Sequence, residues 1–281
     1  MSEEDIYTAL GLPFIAPELR EGLGEIDDAE AGRLTTLVEA KDIKGIFHNH
    51  TNYSDGSASL EDMVVAAKTL GYGYIGISDH SQSAFYANGL KEDRIREQHA
   101  AIEALRKKVT EIAVFKGIEA DILADGMMDY PDEVLARFDF VIASVHSRFN
   151  LPEEEQTARV IKALSNPFVT MLGHATGRLL LSREGYRIDM KRVIEAAKQF
   201  GKIIEINANP HRLDLDWRMV RSAKAQGVKV SINPDAHATE GLKDVPFGVN
   251  VARKGGLAPD DVVNTLGREA ILPALAGRTD S

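Results

Sequence analysis

Nine side chains in this sequence have the chemistry of metal ligands and a spacing that brings them together: His48, His50, Asp55, His80, Glu119, His146, His174, Asp235 and His237. Nearly all sit where a short apolar run stops. His48 and His50 end one run and His80 the next. Glu119, His146 and His174 close three more, and Asp235 and His237 follow the last. In an extended segment residues i and i+2 project to one side, so His48 with His50 and Asp235 with His237 can each grip one ion, and Glu119 with Asp121 repeats the geometry. Asp55, before Gly56, is ordinary turn chemistry as well as a carboxylate able to fold back towards the others. The sequence has no cysteine, so any metal must be held by nitrogen and oxygen. Imidazoles mixed with carboxylates suit zinc, manganese or iron better than magnesium or calcium. Nine donors exceed what one four-coordinate ion needs, and two or three divalent ions sharing a bridging carboxylate would use them all.

Taken singly, a histidine is more often a hydrogen-bonded structural or surface residue than a ligand. That reading does not explain why six of the eight histidines fall at strand ends. Of the other two, His99 is expected on a helix surface. His211 follows Asn209-Pro210 and can reach the same mouth, with Arg212 beside it to hold a phosphate oxygen. Arg148, Arg178 and Arg183, in loops after the fourth and fifth runs, can line the mouth for an anionic substrate, although single arginines are more often solvated.

The elements that must position these residues alternate. The expected strands are 45–47, 74–77, 114–118, 140–145, 169–172, 203–206 and 228–232, read as continuous apolar runs of the kind covered on both faces. Amphipathic segments lie between them. Ser59 with Asp62 makes a capping box, Asp189 starts a second helix, and Gly71, Gly201 and Gly227 stand where helices close. Strand and helix in alternation imply parallel pairing and right-handed crossovers. Seven such units predict a distorted (β/α)7 barrel, with an open doubly wound sheet as the rival, and either puts the ligands at the strands' C-terminal ends. Residues 1–44, broken by Pro13, Pro17 and several glycines, read as a short irregular N-terminal extension with a few helical turns, ahead of one domain over 45–281.

The formal charge of −10 argues against a broad basic face for duplex nucleic acid but leaves room for a narrow groove. No apolar run is long enough to span a bilayer, and the start Met1-Ser2-Glu3-Glu4-Asp5 lacks a signal-peptide pattern, so a cytoplasmic protein is expected.

The ordered motifs His48-Asn49-His50-Thr51, Ser54-Asp55-Gly56, Ser78-Asp79-His80, Gly117-Ile118-Glu119, Ser144-Val145-His146, Gly173-His174 and Pro234-Asp235-Ala236-His237 resemble the polymerase and histidinol phosphatase (PHP) superfamily from Lys44 onward. Leu10-Gly11-Leu12-Pro13 and the stretch from Ile206 to Trp217 are most similar to the C-terminal PHP domain of bacterial family X DNA polymerases. The resemblance implies a trinuclear centre, with His48, His50, Glu119 and Asp235 on one ion, Asp55, His80 and His237 on a second, and Glu119, His146 and His174 on a third. It implies phosphodiester hydrolysis by a metal-bound hydroxide, of the 3′-5′ exonuclease type, on single-stranded DNA or other nucleic-acid 3′ ends. The alternatives are a small-molecule phosphomonoesterase of the histidinol-phosphatase kind and a non-catalytic, metal-stabilised module. The nucleotidyltransferase and helix-hairpin-helix regions of such polymerases have no counterpart here, so DNA synthesis is not expected, and a polymerase partner or parent chain stays open.

Overall fold

Apolar runs with no polar face must be covered on both sides, and of the seven expected runs only the last contains an exposed residue, Lys229. The computed structural model describes residues 2–275. Its strands β1 (Gly45–Ile46), β2 (Tyr74–Ile77), β3 (Ala113–Asp121), β4 (Phe140–Ser144), β5 (Met171–Leu172), β6 (Ile203–Asn207) and β7 (Val230–Asn233) are all parallel and neighbour one another in chain order. The helices are α1 (Glu3–Ala9), α2 (Glu25–Glu30), α3 (Leu60–Thr69), α4 (Glu92–Lys108), α5 (Asp132–Leu135), α6 (Glu153–Leu164), α7 (Met190–Gln199), α8 (Trp217–Ala225), α9 (Val245–Lys254) and α10 (Arg268–Leu275). The arrangement is a nearly closed (β/α)7 barrel. Gly71, Gly201 and Gly227 take the left-handed conformation just beyond α3, α7 and α8, and the Ser59–Asp62 capping box opens α3.

Only β2 keeps its expected bounds; β4, β6 and β7 shift by one or two residues, and three other differences bear on the site. β1 stops at Ile46 because the backbone turns left-handed at His48, with φ 57°. β5 pairs only at Met171 and Leu172, since the Val169 amide turns back to the Asn166 carbonyl. β3 runs on to Asp121, with Ala120 and Asp121 still in register with Ala143 and Ser144, so its two carboxylates stand on a strand and not in a loop. His99 also departs from the surface position expected of it. It is half-buried with its ring edge-on to Phe138 at 4.9 Å, and burial, helped by the nearby Lys116 charge, pulls it down to about 4.

The barrel interior is closed at the strands' N-terminal end by an aromatic floor. Phe47 lies 4.9 Å from Phe140, 5.4 Å from Tyr74 and 6.2 Å from Phe115 between ring centroids. Two glycines make room for it. A Cβ at Gly76 would stand 2.5 Å from the Phe47 ring, and one at Gly117 would stand 2.1 Å from that of Phe140. This floor keeps water out from below, so polar groups above it face one mouth only.

Between β1 and β7 the ring is sealed by a side chain where a strand ladder would otherwise run. The buried Asn264 amide donates to the carbonyls of Gly45 and Ile232, both at 3.0 Å, and accepts from the Ile232 amide at 2.7 Å. Its own backbone carbonyl accepts from the Lys44 amide at 2.8 Å. Higher up, the His50 amide donates to the Ala236 carbonyl at 2.8 Å and the Ala236 amide to that of His48 at 3.3 Å. The N-terminal segment packs beside this region, with Ile15, Ala29, Leu37 and Val38 buried and Glu18 paired to Arg253 at 2.6 Å.

Replacing Asn264 by alanine strands several buried backbone groups, each costing about 1–3 kcal/mol. Urea unfolding of N264A is expected to show a loss of about 3 kcal/mol or more, and a loss under about 1 kcal/mol would mean that the seam does not need this amide.

Candidate metal centre

The inward-facing residues of each strand change character from floor to mouth. Along β2 and beyond they run Tyr74, Gly76, Ser78, His80; along β3, Phe115, Gly117, Glu119, Asp121; and along β4, Phe140, Ile142, Ser144, His146. β6 contributes Glu205 and Asn207, and β7 contributes Ser231 and Asn233, with Asp235 two residues beyond its end. The period is two throughout, as pleating requires. β1 breaks it, because Phe47 lies in the floor and the next residue, His48, must also point inward. The positive φ of His48 provides that turn. His174 (φ 21°) and Asp235 (φ 51°) are left-handed as well, a conformation that non-glycine residues hold only where their surroundings impose it.

Glu119 is at the centre, with no exposed surface. Its Oε1 lies 2.8 Å from His174 Nε2, 3.2 Å from His48 Nε2 and 3.3 Å from His146 Nε2, and its Oε2 lies 2.9 Å from His80 Nδ1 and 3.6 Å from His50 Nε2. Asp235 Oδ1 faces His50 Nε2 at 3.3 Å and His48 Nε2 at 3.5 Å. Asp55 turns back into the mouth, its oxygens 3.4 Å from His237 Nε2, 3.6 Å from His80 Nε2 and 3.9 Å from His50 Nδ1. The donor atoms fall into four overlapping groups: His48, His50 and Asp235; His50, Asp55, His80 and His237; His80, Glu119 and His146; and His48, Glu119 and His174. All nine expected donors are thus in one mouth. The grouping is more shared than the three sets implied above, which had only Glu119 in common: His48, His50, His80 and Glu119 each serve two groups, and His174 stands with His48 rather than with His146.

The loop that carries Asp55 is tied to Asp79. The buried Asp79 carboxylate accepts from the Thr51 amide and hydroxyl at 2.8 and 2.7 Å, from the Ser54 amide and hydroxyl at 3.1 and 2.5 Å, and from Gln98 Nε2 at 2.6 Å. Gly56 is obligatory in that turn, since a Cβ there would meet the His50 and Thr51 backbone at 2.8 Å.

Burial alone would neutralise Glu119, but the His48, His146 and His80 imidazoles outweigh it and hold the carboxyl well below its usual range. Burial likewise opposes a proton on His146, yet Glu119 and Asp121 carry it up to about 10. His237 is lifted to about 9 against its own burial, chiefly by Asp55 and Asp235. His50 goes the other way. Burial, then the charges of His237 and His80, pull it down to about 3. The carboxylates therefore draw positive charge into the mouth, while His50 offers lone pairs. Buried polar atoms with no hydrogen-bond partner among the described residues concentrate here: His48 Nε2, both His50 ring nitrogens, His80 Nδ1, Glu119 Oε2 and His174 Nδ1. Orphaned donors and acceptors are costly in a core, and their convergence fits divalent cations.

The five residues proposed to line the mouth separate. Arg212 is at its edge, Nε 3.1 Å from Asp235 Oδ2. Arg178 is occupied, donating to the carbonyls of Arg212 and Leu213. Arg183 donates to the Gly177 carbonyl and lies over the Phe149 ring at 4.3 Å. Arg148 and His211 are exposed, and the His211 ring joins none of the donor groups.

A family model described as "PHP domain" matches residues 47–209, more than half of the chain. The chain belongs to the PHP family. Membership, together with the cluster, makes this PHP domain a metal-dependent phosphoesterase. It is similar to the DNA polymerase/3′-5′ exonuclease PolX of Bacillus subtilis, 43% identical over 94% of the chain and 46% of the relative, so it spans about half of that protein's length. It is also 30% identical to a probable phosphatase of Thermoanaerobacter over 58% of the chain and 69% of the relative. Among solved structures it is similar to a histidinol phosphate phosphatase from Lactococcus lactis crystallised with zinc, L-histidinol and phosphate. The TM-score there is 0.58 at 18% identity, covering 77% of this chain and 95% of that one. No helix of the described residues is long and apolar enough to cross a membrane.

Sequence reasoning missed the acid that orients the PHP cluster from beneath. Glu205, fully buried on β6, lies 2.6 Å from His48 Nδ1 and accepts from the His174 amide at 2.7 Å and from Asn233 Nδ2 at 2.9 Å. Its presence leaves His48 Nε2 to face Glu119 and Asp235. Asp121 holds His146 in the same way, through Nδ1 at 2.6 Å. Carboxylates behind a ligating imidazole fix its ring and raise its basicity. The available signal was the alternation of Glu205 and Asn207 with isoleucines.

E205Q is expected to weaken metal affinity by roughly 10–100-fold in chelator competition while leaving far-UV circular dichroism unchanged. Unchanged affinity would show that His48 needs no such anchor. D79A, which frees the Asp55 loop, is expected to lose one bound metal per chain by elemental analysis, with the remainder retained.

Proposed function

We propose that this PHP domain, assigned to residues 45–281 with 1–44 as an extension, removes nucleotides from the 3′ end of single-stranded DNA by phosphodiester hydrolysis. The assigned boundary at Ser281 lies outside the described residues. The observation that carries the reading is the Glu119-centred set of unpartnered buried donors, open to one mouth and bordered by Arg212. His48, His50, Asp55, His80, Glu119, His146, His174, Asp235 and His237 are its candidate ligands for two or three ions of zinc, manganese or iron. When bound, such ions polarise phosphoryl oxygens, supply a nucleophile from water at neutral pH and offset charge on the leaving oxygen. The chain's own residues do the positioning. Glu119 spans the donor groups and fixes their separation. Glu205 and Asp121 hold His48 and His146 so that one nitrogen of each ring faces inward. Arg212 stands where a phosphate oxygen would enter, and the aromatic floor restricts water to the mouth. The exonuclease part of the reading draws on the printed name of the Bacillus relative, and a polymerase partner or parent chain belongs to the same proposal. The probable phosphatase relatives favour a second reading, hydrolysis of small phosphomonoesters.

The deciding experiment pairs metal content with manganese-supplemented hydrolysis of a labelled single-stranded oligonucleotide and of an aliphatic phosphomonoester. Two or more ions per chain with release of 3′ nucleotides support the proposal. Monoester cleavage alone moves the assignment to the second reading, and a metal-free, inactive protein makes the domain a structural module. H80A and E119A are expected to fall to background with the barrel still folded, and either variant keeping full activity after chelation would end the metal mechanism.

A further inference from the structure

Residues 81–90, which follow β2 and rise beside the mouth, are held far more tightly than a solvent loop needs. The Ser81 amide donates to the Glu119 carbonyl at 2.9 Å, and the Leu90 amide to that of His80 at 2.8 Å, so both ends are pinned to the cluster's own strands. Ser83 donates through its amide to Asp129 Oδ2 at 2.7 Å, and Gln82 through its amide to the Tyr130 hydroxyl at 3.1 Å. Asn88 takes φ 54° with its carbonyl accepting from Arg94 at 3.1 Å, and a Cβ at Gly89 would stand 1.8 Å from the Ser81 carbonyl oxygen. Ala84, Ala87 and Leu90 are buried.

This anchored loop leaves two large aromatic side chains in the open, Phe85 at 85% and Tyr86 at 72% exposure. Single exposed apolar residues are common, but adjacent aromatics on a fixed support are a surface awaiting a ligand. The position of Tyr86, whose exposed neighbour in sequence is Phe85, says which ligand. The Tyr86 ring is 6.2 Å from that of His80 and 6.5 Å from that of His146, both in the donor cluster. A ligand that brings phosphate to the cluster and meets these rings must carry a flat, partly apolar group about one nucleotide's reach from its phosphate.

We infer that Phe85 and Tyr86 form a stacking platform for the terminal base of a single strand whose last phosphodiester lies at the His80–His146 side of the cluster. The inference rests on the exonuclease reading above and adds a base-binding site to it. Stacking is indifferent to base identity, because every base has a π-face, and it needs no broad basic surface. It thus suits a chain of formal charge −10, which has little to offer a phosphate backbone beyond the mouth.

The test uses the manganese-loaded full chain and a short single-stranded oligonucleotide ending in 2-aminopurine, whose fluorescence falls when it stacks, with a non-cleavable last linkage. Quenching on binding to the natural chain, and its loss in F85A/Y86A with roughly tenfold or greater weakening of affinity, is the expected result. An abasic end should weaken binding to the natural chain by a similar factor and leave the double variant indifferent. Metal content and circular dichroism of F85A/Y86A should match those of the natural chain, separating base contact from a damaged fold. Equal quenching in both proteins, or no quenching in either, overturns the platform. Cleavage of a normal oligonucleotide, scored separately, tells the two readings apart: cleavage without quenching leaves the exonuclease and removes the platform, and no cleavage removes both.

Discussion

A carboxylate withdrawn from water is the condition on which this molecule is organised. Glu119 has no exposed surface, and Glu205, Asp121, Asp235 and Asp79 are buried around it. Ionised carboxylates in such a place are tolerable only when compensating charge or hydrogen bonds surround them. Two solutions coexist. Asp79 is answered wholly by hydrogen-bond donors from the Thr51–Ser54 turn and Gln98, and its role is to shape a loop. Glu119 and Asp235 are answered by imidazoles, several of whose nitrogens (His48 Nε2, both of His50, His80 Nδ1 and His174 Nδ1) have no hydrogen-bond partner among the described residues, and their role is to concentrate positive charge. The same residue type thus does structural and chemical work a few ångströms apart, and the difference is whether fixed donors or exchangeable cations complete its surroundings.

The second organising fact is the vertical division of the barrel interior. Aromatic rings fill the lower layer, glycine and serine much of the middle one, and the histidine and carboxylate cluster the top. Because pleating fixes the spacing at two residues, no strand can change one layer without shifting the others. The left-handed turns at His48 and His174 are the places where the chain departs from that spacing to bring a further side chain inward, whereas Asp235, also left-handed, keeps the period of β7. Backbone strain of this sort costs on the order of 1–3 kcal/mol per residue and persists only where the surroundings impose it. Here the hydrogen bonds from Glu205 and across the β1–β7 seam do so.

Much of this was legible in the sequence. Seven apolar runs separated by amphipathic segments gave the barrel, and the fall of histidines at their ends gave the mouth, because both signals depend on local period and order. The boundaries of β1, β3 and β5 were less legible, since they are set by a left-handed residue, by continued pairing and by a turn that no propensity marks. Glu205 escaped because its strand was read as uniformly apolar, whereas Ile203-Ile204-Glu205-Ile206-Asn207 carries a polar residue at alternate positions facing the interior. Asn264 left no sequence signal, because its function lies in an amide that completes two strands distant in the chain. The arginines show a limit of another kind: Arg178 and Arg183 lie in the expected loops, but nearby carbonyls occupy them.

That amide at Asn264 also decides how the molecule breathes. Six junctions of the ring are joined by backbone ladders, and the seventh is held by Asn264 below, with the Phe47 amide donating to Asn233 Oδ1 at 3.3 Å, and by a bridged pair above. A ring opens first at its weakest joint, so the low-energy excursions of this barrel should begin between β1 and β7. On one lip of that joint are His48 and His50, and on the other are Asp235 and His237. An ion held across them would act as a clasp. Loading the site would then fasten the barrel as well as arm it, and fluctuation of the fold and escape of the ion would become one event.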